Sequence, residues 1–214
     1  MQTGVASRAV GKGETATARG AGPHESRPAS LKIAFIYRGD PRDRTANRLS
    51  MLKNVAAAKR LGHGVALVVP REGMSAAAAE SALAQALEDF DIAESFPVVR
   101  VPRATVRGRG RRGFDFLAAC WARARGFDLA WSREFHAADY ASAFGLPTVF
   151  EHHHPFNGRQ WRVARRMLGR DSFRGVAAIS DAHRRTLTAE GWPEEKVVTA
   201  HSGVDLSQFE RPKA

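Results

Sequence analysis

The sequence predicts an α/β domain built on a doubly wound parallel sheet, and two observations support this prediction. Short apolar runs alternate with segments of helical periodicity, which is the pattern of a parallel sheet covered by helices on both faces. The apolar runs are nearly continuous, as expected of strands that are buried on both faces. The composition fits this class, because 43% hydrophobic and 26% charged residues exclude a fully disordered chain.

The first half of the pattern consists of three strands and two helices. Gly62 can cap the first helix, because many helices end beside a glycine. Pro70 is expected to stop the second strand, because proline has no N–H to donate to a neighbouring strand. The predicted strands are Leu31–Tyr37, Val65–Val69 and Val98–Val101, and the predicted helices are Asn47–Leu61 and Ala76–Phe90.

The second half continues with four helices and four strands. Sheets of this kind bind ligands beyond the carboxyl ends of their strands, so the strand-to-helix turns are the candidate site positions. The predicted helices are Phe114–Arg125, His136–Phe144, Gln160–Gly169 and Asp181–Gly191, and the predicted strands are Leu129–Trp131, Thr148–Phe150, Gly175–Ile179 and Lys196–Thr199.

The two ends of the chain lie outside this pattern. Residues 1–30 have no apolar periodicity and lack the apolar core of a secretory signal, so we expect a disordered basic leader before a domain at 31–200. Residues 201–214 are expected to begin an interdomain linker. No apolar run reaches the roughly 18 residues of a membrane span. The single cysteine, Cys120, excludes an intrachain disulfide and fits a reducing cytosol, so a cytoplasmic location is expected.

The excess of basic residues indicates an anionic partner. Thirty-three Lys and Arg against 22 Asp and Glu give a net charge of +11 and a pI near 10.9. Much of this surplus lies in two arginine clusters, one in a glycine-containing stretch and one on a predicted helix. The clusters are Arg100, Arg103, Arg107, Arg109, Arg111 and Arg112, and Arg159, Arg162, Arg165, Arg166 and Arg170.

The arginines of the second cluster occupy one side of their helix, and apolar residues occupy the other. This split fits an interfacial helix with a basic face on an anionic membrane, and it fits equally a surface helix that packs on the sheet. We favour packing, because five apolar residues suit a doubly wound fold, and a peripheral membrane contact stays open. Nucleic acid is the less favoured partner, since no helix-turn-helix pattern or basic-aromatic stacking surface is present.

The first strand-to-helix turn is Arg38-Gly39-Asp40-Pro41. It could present backbone N–H groups and a helix N-terminus to a phosphate. It is not G-x-G-x-x-G, so the classical dinucleotide fingerprint is absent. A plain turn without a ligand is the alternative interpretation.

A histidine run, His152-His153-His154, directly follows the strand that is predicted to end at Phe150. Alternation would point His153 to one side and its two neighbours to the other. A three-histidine zinc site needs convergent side chains, so we predict no metal site here. A hydrogen-bonding site histidine is favoured, and a polar loop without a ligand is the alternative.

Ser180, Asp181 and His183 are the residue types of a hydrolytic triad within four positions. A triad converges from separate elements, and the G-x-S-x-G motif is missing. Ser180 is therefore interpreted first as a helix N-cap.

A set of motifs resembles those of the family 4 glycosyltransferases, in the order in which that family has them. The set runs from about Leu31 to Phe209, and its order identifies the resemblance. The motifs are Leu61-Gly62-His63-Gly64-Val65, Glu151-His152-His153, Ala177-Ala178-Ile179-Ser180-Asp181-Ala182-His183-Arg184, Trp192-Pro193-Glu194-Glu195-Lys196-Val197, and Gly203-Val204-Asp205 with Phe209.

The resemblance implies a GT-B architecture, in which two Rossmann-like domains face a cleft. In that family the amino-terminal domain binds mainly the acceptor, and the carboxy-terminal domain holds the nucleotide-sugar with an E-x7-E motif. Transfer is metal-independent and usually retains the anomeric configuration. The resemblance therefore implies no cofactor other than the nucleotide-sugar, which is a co-substrate.

The resemblance also implies site residues. It makes His153 the catalytic cleft histidine, which hydrogen-bonds the donor sugar or its phosphates, with Glu151 completing the E-x-H motif. It places the Arg38–Asp40 turn, which lacks the paired glycines often seen there, at the family's glycine-rich loop. Ser180 corresponds to the cleft-facing end of a strand.

The sequence departs from the family at its end, since no donor domain follows Phe209 before Ala214. Glu80 and Glu88 have the E-x7-E spacing, but they lie on the predicted alanine-rich helix and match by coincidence. We therefore expect an acceptor-binding half that is inactive alone, with a separate donor-domain chain as partner and a sugar or lipid-linked acceptor. A non-catalytic basic module for anionic lipid or nucleic acid is the alternative.

Overall fold

The computed structural model describes residues 29–39, 45–71, 75–103, 112–153 and 156–201. These residues form seven strands: β1 (Lys32–Ile36), β2 (Gly64–Arg71), β3 (Val98–Pro102), β4 (Leu129–Ser132), β5 (Thr148–His152), β6 (Phe173–Ala178) and β7 (Val197–Thr199). All neighbouring pairs are parallel, in the order β3-β2-β1-β4-β5-β6-β7. The predicted α/β fold, a Rossmann-like doubly wound parallel sheet, is confirmed.

Several sequence predictions lie outside the described residues. The structure therefore gives no account of them. They are the leader up to residue 28, Asp40, Arg107, Arg109, Arg111, His154, and the linker from residue 202 with the Gly203–Asp205 motif and Phe209.

Six helices connect these strands in the described ranges: α1 (Ala46–Arg60), α2 (Ala76–Asp89), α3 (Gly113–Ala124), α4 (Phe135–Ala143), α5 (Gly158–Leu168) and α6 (Asp181–Ala189). The chain winds outward from β1 to β3, and then returns to the other side of β1 as β4. The winding therefore reverses between β1 and β4.

The core lies on both faces of the sheet, because successive strand residues point to opposite faces. Ile33 and Phe35 of β1 pack against α1 and α2. Ala34 and Ile36, between them, pack against α3 and α4 on the opposite face. A third apolar cluster joins α4, α5 and α6 to β5 and β6. The near-continuous apolar runs of the sequence are explained by this double burial.

Four strands end later than predicted, β2 and β5 by two residues and β3 and β4 by one. The prediction that Pro70 stops β2 is wrong, since β2 continues to Arg71. The last pair between β1 and β2 is Ile36 with Val68, whereas Pro70 pairs with Val101 of β3, so the proline lies beyond the reach of β1. β5 likewise passes its predicted end at Phe150 and includes the next two polar residues.

Helix α5 packs its apolar side on the sheet, as favoured from its sequence. Ala164 and Met167 are buried in the third cluster. Arg166 of its basic side and Arg170, two residues beyond its end, each lie 2.9 Å from a carboxylate oxygen of Asp139 on α4. The apolar side therefore packs within the fold. Across the described ranges, no helix combines the length and the apolar character needed to cross a bilayer.

Candidate substrate-binding site

A cavity of about 450 Å³ lies at the carboxyl ends of β1, β4 and β5, where the winding of the sheet reverses. Its volume is in the usual range for small-molecule sites. Its lining includes Arg38 after β1, Arg133 and Glu134 after β4, Glu151 near the end of β5 and His153 directly after that strand. Because ligands of open parallel sheets bind at such reversal points, this cavity is the candidate site.

Glu151 is the centre of a hydrogen-bond network, although only 4% of the residue is exposed. Its Oε1 accepts a hydrogen bond from His153 Nε2 at 2.6 Å and lies 3.7 Å from Arg133 Nε. Its Oε2 accepts hydrogen bonds from Trp131 Nε1 at 2.7 Å and from Asn54 Nδ2 at 3.2 Å. Four donors from α1, β4 and the turns after β4 and β5 therefore surround one buried carboxyl group.

These donors keep the Glu151 carboxyl ionised. Burial opposes its ionisation, but the hydrogen bonds from His153 and Trp131 and the charge of Arg133 hold its pKa below the usual value. An ionised carboxylate can only accept hydrogen bonds, so Nε2 of His153 must carry the proton between them. Nδ1 of His153 forms no hydrogen bond with the described residues, and it is the ring nitrogen left for a ligand.

Arg133 fixes the cavity wall between the sheet and α1. Its Nη1 donates to the backbone oxygen of Asn47 at 2.8 Å, and its Nη2 donates to the side-chain oxygen of the same residue at 3.0 Å. The first turn of α1 is itself capped, because Thr45 accepts a hydrogen bond from the Arg48 N–H. The Arg133 side chain is only 7% exposed, so its main role is to hold Asn47 in position.

Arg38 is held by two carboxylates on the opposite wall. Its backbone N–H donates to Glu134 Oε1 at 3.1 Å, and its Nε lies 3.6 Å from Glu134 Oε2. Its Nη2 forms a short ion pair with Asp115, which lies in the first turn of α3 and is fully buried. The guanidinium reaches the cavity with both carboxylates already beside it.

Two groups near Arg38 have strongly shifted pKa values. Burial raises the pKa of Asp115 to about 6, although the charge of Arg38 lowers it in part. Burial, together with the charges of Arg112 and Arg38, lowers the pKa of His136 to about 4. His136, which lines the cavity, is therefore neutral at physiological pH.

Gly39 allows the backbone of the turn to lie close to the ring of Tyr37. A Cβ atom at this position would lie 2.4 Å from the ring of Tyr37, a distance at which something must shift. The glycine therefore leaves room for the buried tyrosine ring beside the cavity. The predicted contacts of Arg38, Gly39 and Asp40 with substrate stay predictions.

Two of the predicted polar residues after the strands have structural contacts. Ser180 is the N-cap of α6, because its Oγ accepts a hydrogen bond from the His183 N–H at 3.2 Å, and it is not among the described residues that line the cavity. His152 is 1% exposed and its ring centroid lies 4.7 Å from that of Phe156. His153 thus faces the cavity while His152 is buried, as strand alternation suggests.

The sequence prediction found only Arg38, Glu151 and His153 among the twelve described residues that line the cavity. Arg133 and Glu134 lie in the strand-to-helix turn after the predicted strand Leu129–Trp131, which was a signal for them. Asp115 and Asn47 gave no signal, because an acidic or polar residue is ordinary in the first turn of a helix. Over the described ranges, no three His, Cys, Asp or Glu side chains lie close enough together to hold a metal ion.

Comparison with known proteins places the chain in a sequence family. The family model described as Glycosyltransferase Family 4 matches residues 51–208, which is well over half of the chain. Among curated protein sequences, none matches the chain significantly.

Solved structures share the fold. The Anabaena protein Alr3699/HepE, in complex with UDP-glucose, matches with a TM-score of 0.58 and 17% identity over 84% of this chain and 46% of that chain. UDP-N-acetylglucosamine 2-epimerase from Rickettsia bellii matches with a TM-score of 0.55 and 16% identity, over 81% and 45% of the two chains. UDP-GlcNAc 2-epimerase from Neisseria meningitidis, bound to UDP-GlcNAc, matches at 0.52 and 12%, over 79% and 45%. The chain thus spans a little under half of these solved chains.

Proposed function

Because the chain belongs to Glycosyltransferase Family 4, we propose that it binds the acceptor in a glycosyl transfer from a nucleotide-sugar. The observation that carries the proposal is the hydrogen-bonded pair of Glu151 and His153 at the cavity where the winding of the sheet reverses. The solved neighbours in complex with UDP-glucose and UDP-GlcNAc support a nucleotide-sugar as the co-substrate. Arg38 and Glu151 line the cavity that would hold the acceptor.

His153 is the residue to which we assign contact with the reacting groups. Glu151 accepts a hydrogen bond from the Nε2–H group of His153 and so fixes the orientation of the ring. Nδ1 would then accept a hydrogen bond from a sugar hydroxyl, or donate one to a phosphate when the ring is protonated. From the family resemblance, we propose that the transfer retains the anomeric configuration and proceeds without a metal ion.

A second domain is needed to hold the donor. Chemistry in a two-walled cleft depends on both walls, since reacting groups must be oriented against each other. The chain spans 46% of a solved neighbour, which supports a donor wall contributed from outside residues 1–214, either by a separate chain or by a further segment. We expect this chain alone to bind an acceptor and not to turn over a nucleotide-sugar.

The transfer assay follows directly. The 214-residue protein is incubated with UDP-glucose, UDP-GlcNAc or GDP-mannose and a panel of sugar acceptors, with and without a co-expressed Family 4 donor domain. We expect nucleotide release and glycosylated product only in the mixture. Robust turnover by the chain alone would contradict the need for a second domain, and no turnover in any mixture would contradict the glycosyl-transfer assignment.

A binding assay tests the role of His153 separately. A panel of mono- and disaccharides is titrated into the chain while backbone amide NMR shifts are followed. The His153→Ala variant should bind the best ligand about tenfold more weakly, because it loses one hydrogen bond to a polar or charged group. The matched control is His183→Ala on α6, outside the cavity lining, which should change the affinity less than about twofold. Equal effects of the two variants would contradict the assignment.

A further inference from the structure

The outer side of α5 is strongly basic, although its inner side packs on the sheet. The helix contains no Asp or Glu, and four of its eleven residues are exposed arginines. We call these side chains the α5 basic face: Arg159, Arg162, Arg165 and Arg166. At about 100° per residue, they fall within a sector of about 120° whose centre lies almost opposite the buried residues Ala164 and Met167. The α5 basic face therefore points away from the sheet into solvent.

Most of this positive charge is unmatched within the protein. The side chains of Arg159, Arg162 and Arg165 form no hydrogen bond or ion pair with any residue that the structure describes. Arg166 contacts Asp139, which is only 6% exposed and also holds Arg170. Contacts within the fold therefore do not account for the three unpaired arginines, and their charge is available to an outside partner.

The helices beside α5 do not cancel this charge. α4 and α6 share the third apolar cluster with α5, so both lie on the same face of the sheet. α4 has one acidic residue, the buried Asp139, and α6 has one, Asp181, together with two arginines. Along the described chain, the acidic residue closest to α5 is Asp171, three residues beyond its end. The positive surplus on this side of the sheet is therefore centred on α5.

The α5 basic face suits the phosphate headgroups of an anionic lipid bilayer. Guanidinium groups form paired hydrogen bonds with phosphate oxygens. The four arginines span about 10 Å along one side of a helix, so they can contact a planar surface together. A nucleic acid is less well matched, because single strands stack their bases on exposed aromatic rings. The one aromatic residue of α5, Trp161, is half-buried against the rings of Phe156 and Trp192.

We propose that the α5 basic face holds the protein on the surface of an anionic lipid bilayer. The contact is electrostatic and does not insert α5, because the apolar side of this helix is packed within the fold. The inference goes beyond the proposed acceptor-binding role, since none of the four arginines lines the candidate cavity. The first turn of α5 nevertheless borders that cavity through Gln160, so a bilayer bound along α5 would lie beside the site.

Vesicle co-sedimentation of the full chain tests the proposal. The vesicles contain either phosphatidylcholine alone or an equimolar mixture with phosphatidylglycerol, in 0.1 M NaCl at pH 7.5. We expect binding to the anionic vesicles only. Each basic residue at such a surface contributes about fivefold in affinity, which corresponds to about 1 kcal/mol. The triple variant Arg159→Gln/Arg162→Gln/Arg165→Gln should therefore bind about 100-fold more weakly than the wild type.

The matched control removes three positive charges elsewhere. Lys32, Lys59 and Arg71 are exposed residues at the start of β1, on α1 and at the end of β2. The variant Lys32→Gln/Lys59→Gln/Arg71→Gln has the same net charge as the α5 variant and should lose less than about threefold in affinity. Raising NaCl to 0.5 M should release the wild type from the vesicles, because the Debye length falls from about 10 Å to about 4 Å.

Each outcome decides the matter. A large loss in the α5 variant, with a small loss in the control variant, supports the α5 basic face as the docking surface. Equal losses in the two variants would show a response to net charge alone and would overturn the inference. Equal binding to the two kinds of vesicle would also overturn it. The same holds if the wild type binds a mixed-sequence RNA of 20 nucleotides through these arginines and does not bind anionic vesicles.

Discussion

The Glu151→Gln substitution tests whether the ionised carboxylate of Glu151 holds the surrounding hydrogen-bond donors in place. Glutamine keeps the length and shape of the side chain, but it removes the charge and turns one acceptor oxygen into an NH₂ donor. Since four donors surround the carboxyl group, the new NH₂ must face either His153 and Arg133 or Trp131 and Asn54. Facing Trp131 and Asn54, the NH₂ group opposes two donors; facing His153, it lies beside Arg133 and requires the His153 proton to move to Nδ1, the ring nitrogen that faces a ligand.

The size of the effect follows from these contacts. A hydrogen bond to a charged group contributes about 1.5–3 kcal/mol, and a buried group left unpaired costs about 1–3 kcal/mol. We expect Glu151→Gln to lower the free energy of unfolding by about 3 kcal/mol at pH 7. The loss should be larger if both donors that contact the same carboxylate oxygen are left without a partner. For a chain of this size, that is roughly 6–12 °C in Tm. Urea unfolding followed by tryptophan fluorescence measures it.

The difference between wild type and variant should depend on pH. The pKa of Glu151 in the folded state lies below its ordinary value of 4.5, because the hydrogen bonds and Arg133 outweigh the effect of burial. A carboxyl group with a lowered pKa stabilises the fold above its unfolded pKa, and this contribution is lost as the pH falls through the folded pKa. The difference should therefore be constant from pH 8 to about 5 and shrink below about 4.

The matched control is the same substitution in an exposed ion pair. Glu194 lies 2.7 Å from Arg184, and its side chain is 76% exposed. Exposed pairs contribute about 0–1 kcal/mol, so Glu194→Gln should cost less than about 1 kcal/mol at any pH. If Glu151→Gln costs no more than this control, the carboxylate does not organise the site as described.

Two further substitutions test the opposite wall of the cavity. Gly39→Ala should destabilise the fold by about 1–3 kcal/mol, because its Cβ would lie 2.4 Å from the ring of Tyr37. Gly169→Ala, whose nearest atom lies at 3.8 Å, should stay within about 0.5 kcal/mol in the same thermal unfolding measurement; equal losses would refute the steric argument. Burial raises the pKa of Asp115 to about 6, so the folded state binds more protons than the unfolded state between pH 3.8 and 6. Wild type should therefore lose roughly 2 kcal/mol relative to Asp115→Asn from pH 4 to 7, and parallel urea stability curves would contradict this.

The fold was predictable because each of its parts has a local signal. Nearly continuous apolar runs mark strands buried on both faces, and the strand-helix alternation then leaves few topologies. The errors occur where tertiary context decides a boundary. Pro70 is tolerated within β2 because β1 has already ended beside it. β5 extends through Glu151 because distant donors satisfy the buried carboxyl group.

The site was predictable only in part, because several of the hydrogen bonds and ion pairs that build it join residues far apart in the chain. Glu151 and His153 are two residues apart, so a sequence motif could indicate them. Asp115 meets Arg38 across 77 residues, and Arg133 meets Asn47 across 86. A local sequence pattern cannot predict which helix will have its first turn beside the end of a given strand.

The network around Glu151 has a consequence for how related sequences can diverge. Its donors come from separate elements, and each loses its partner if the carboxylate is removed. Substitutions at Glu151, Trp131 and Asn54 should therefore be non-additive in a double-mutant cycle. A related protein with an apolar residue in place of Glu151 would also need other side chains in place of Trp131 and Asn54, whose N–H groups would otherwise lose their acceptor. We expect these positions to change together or not at all.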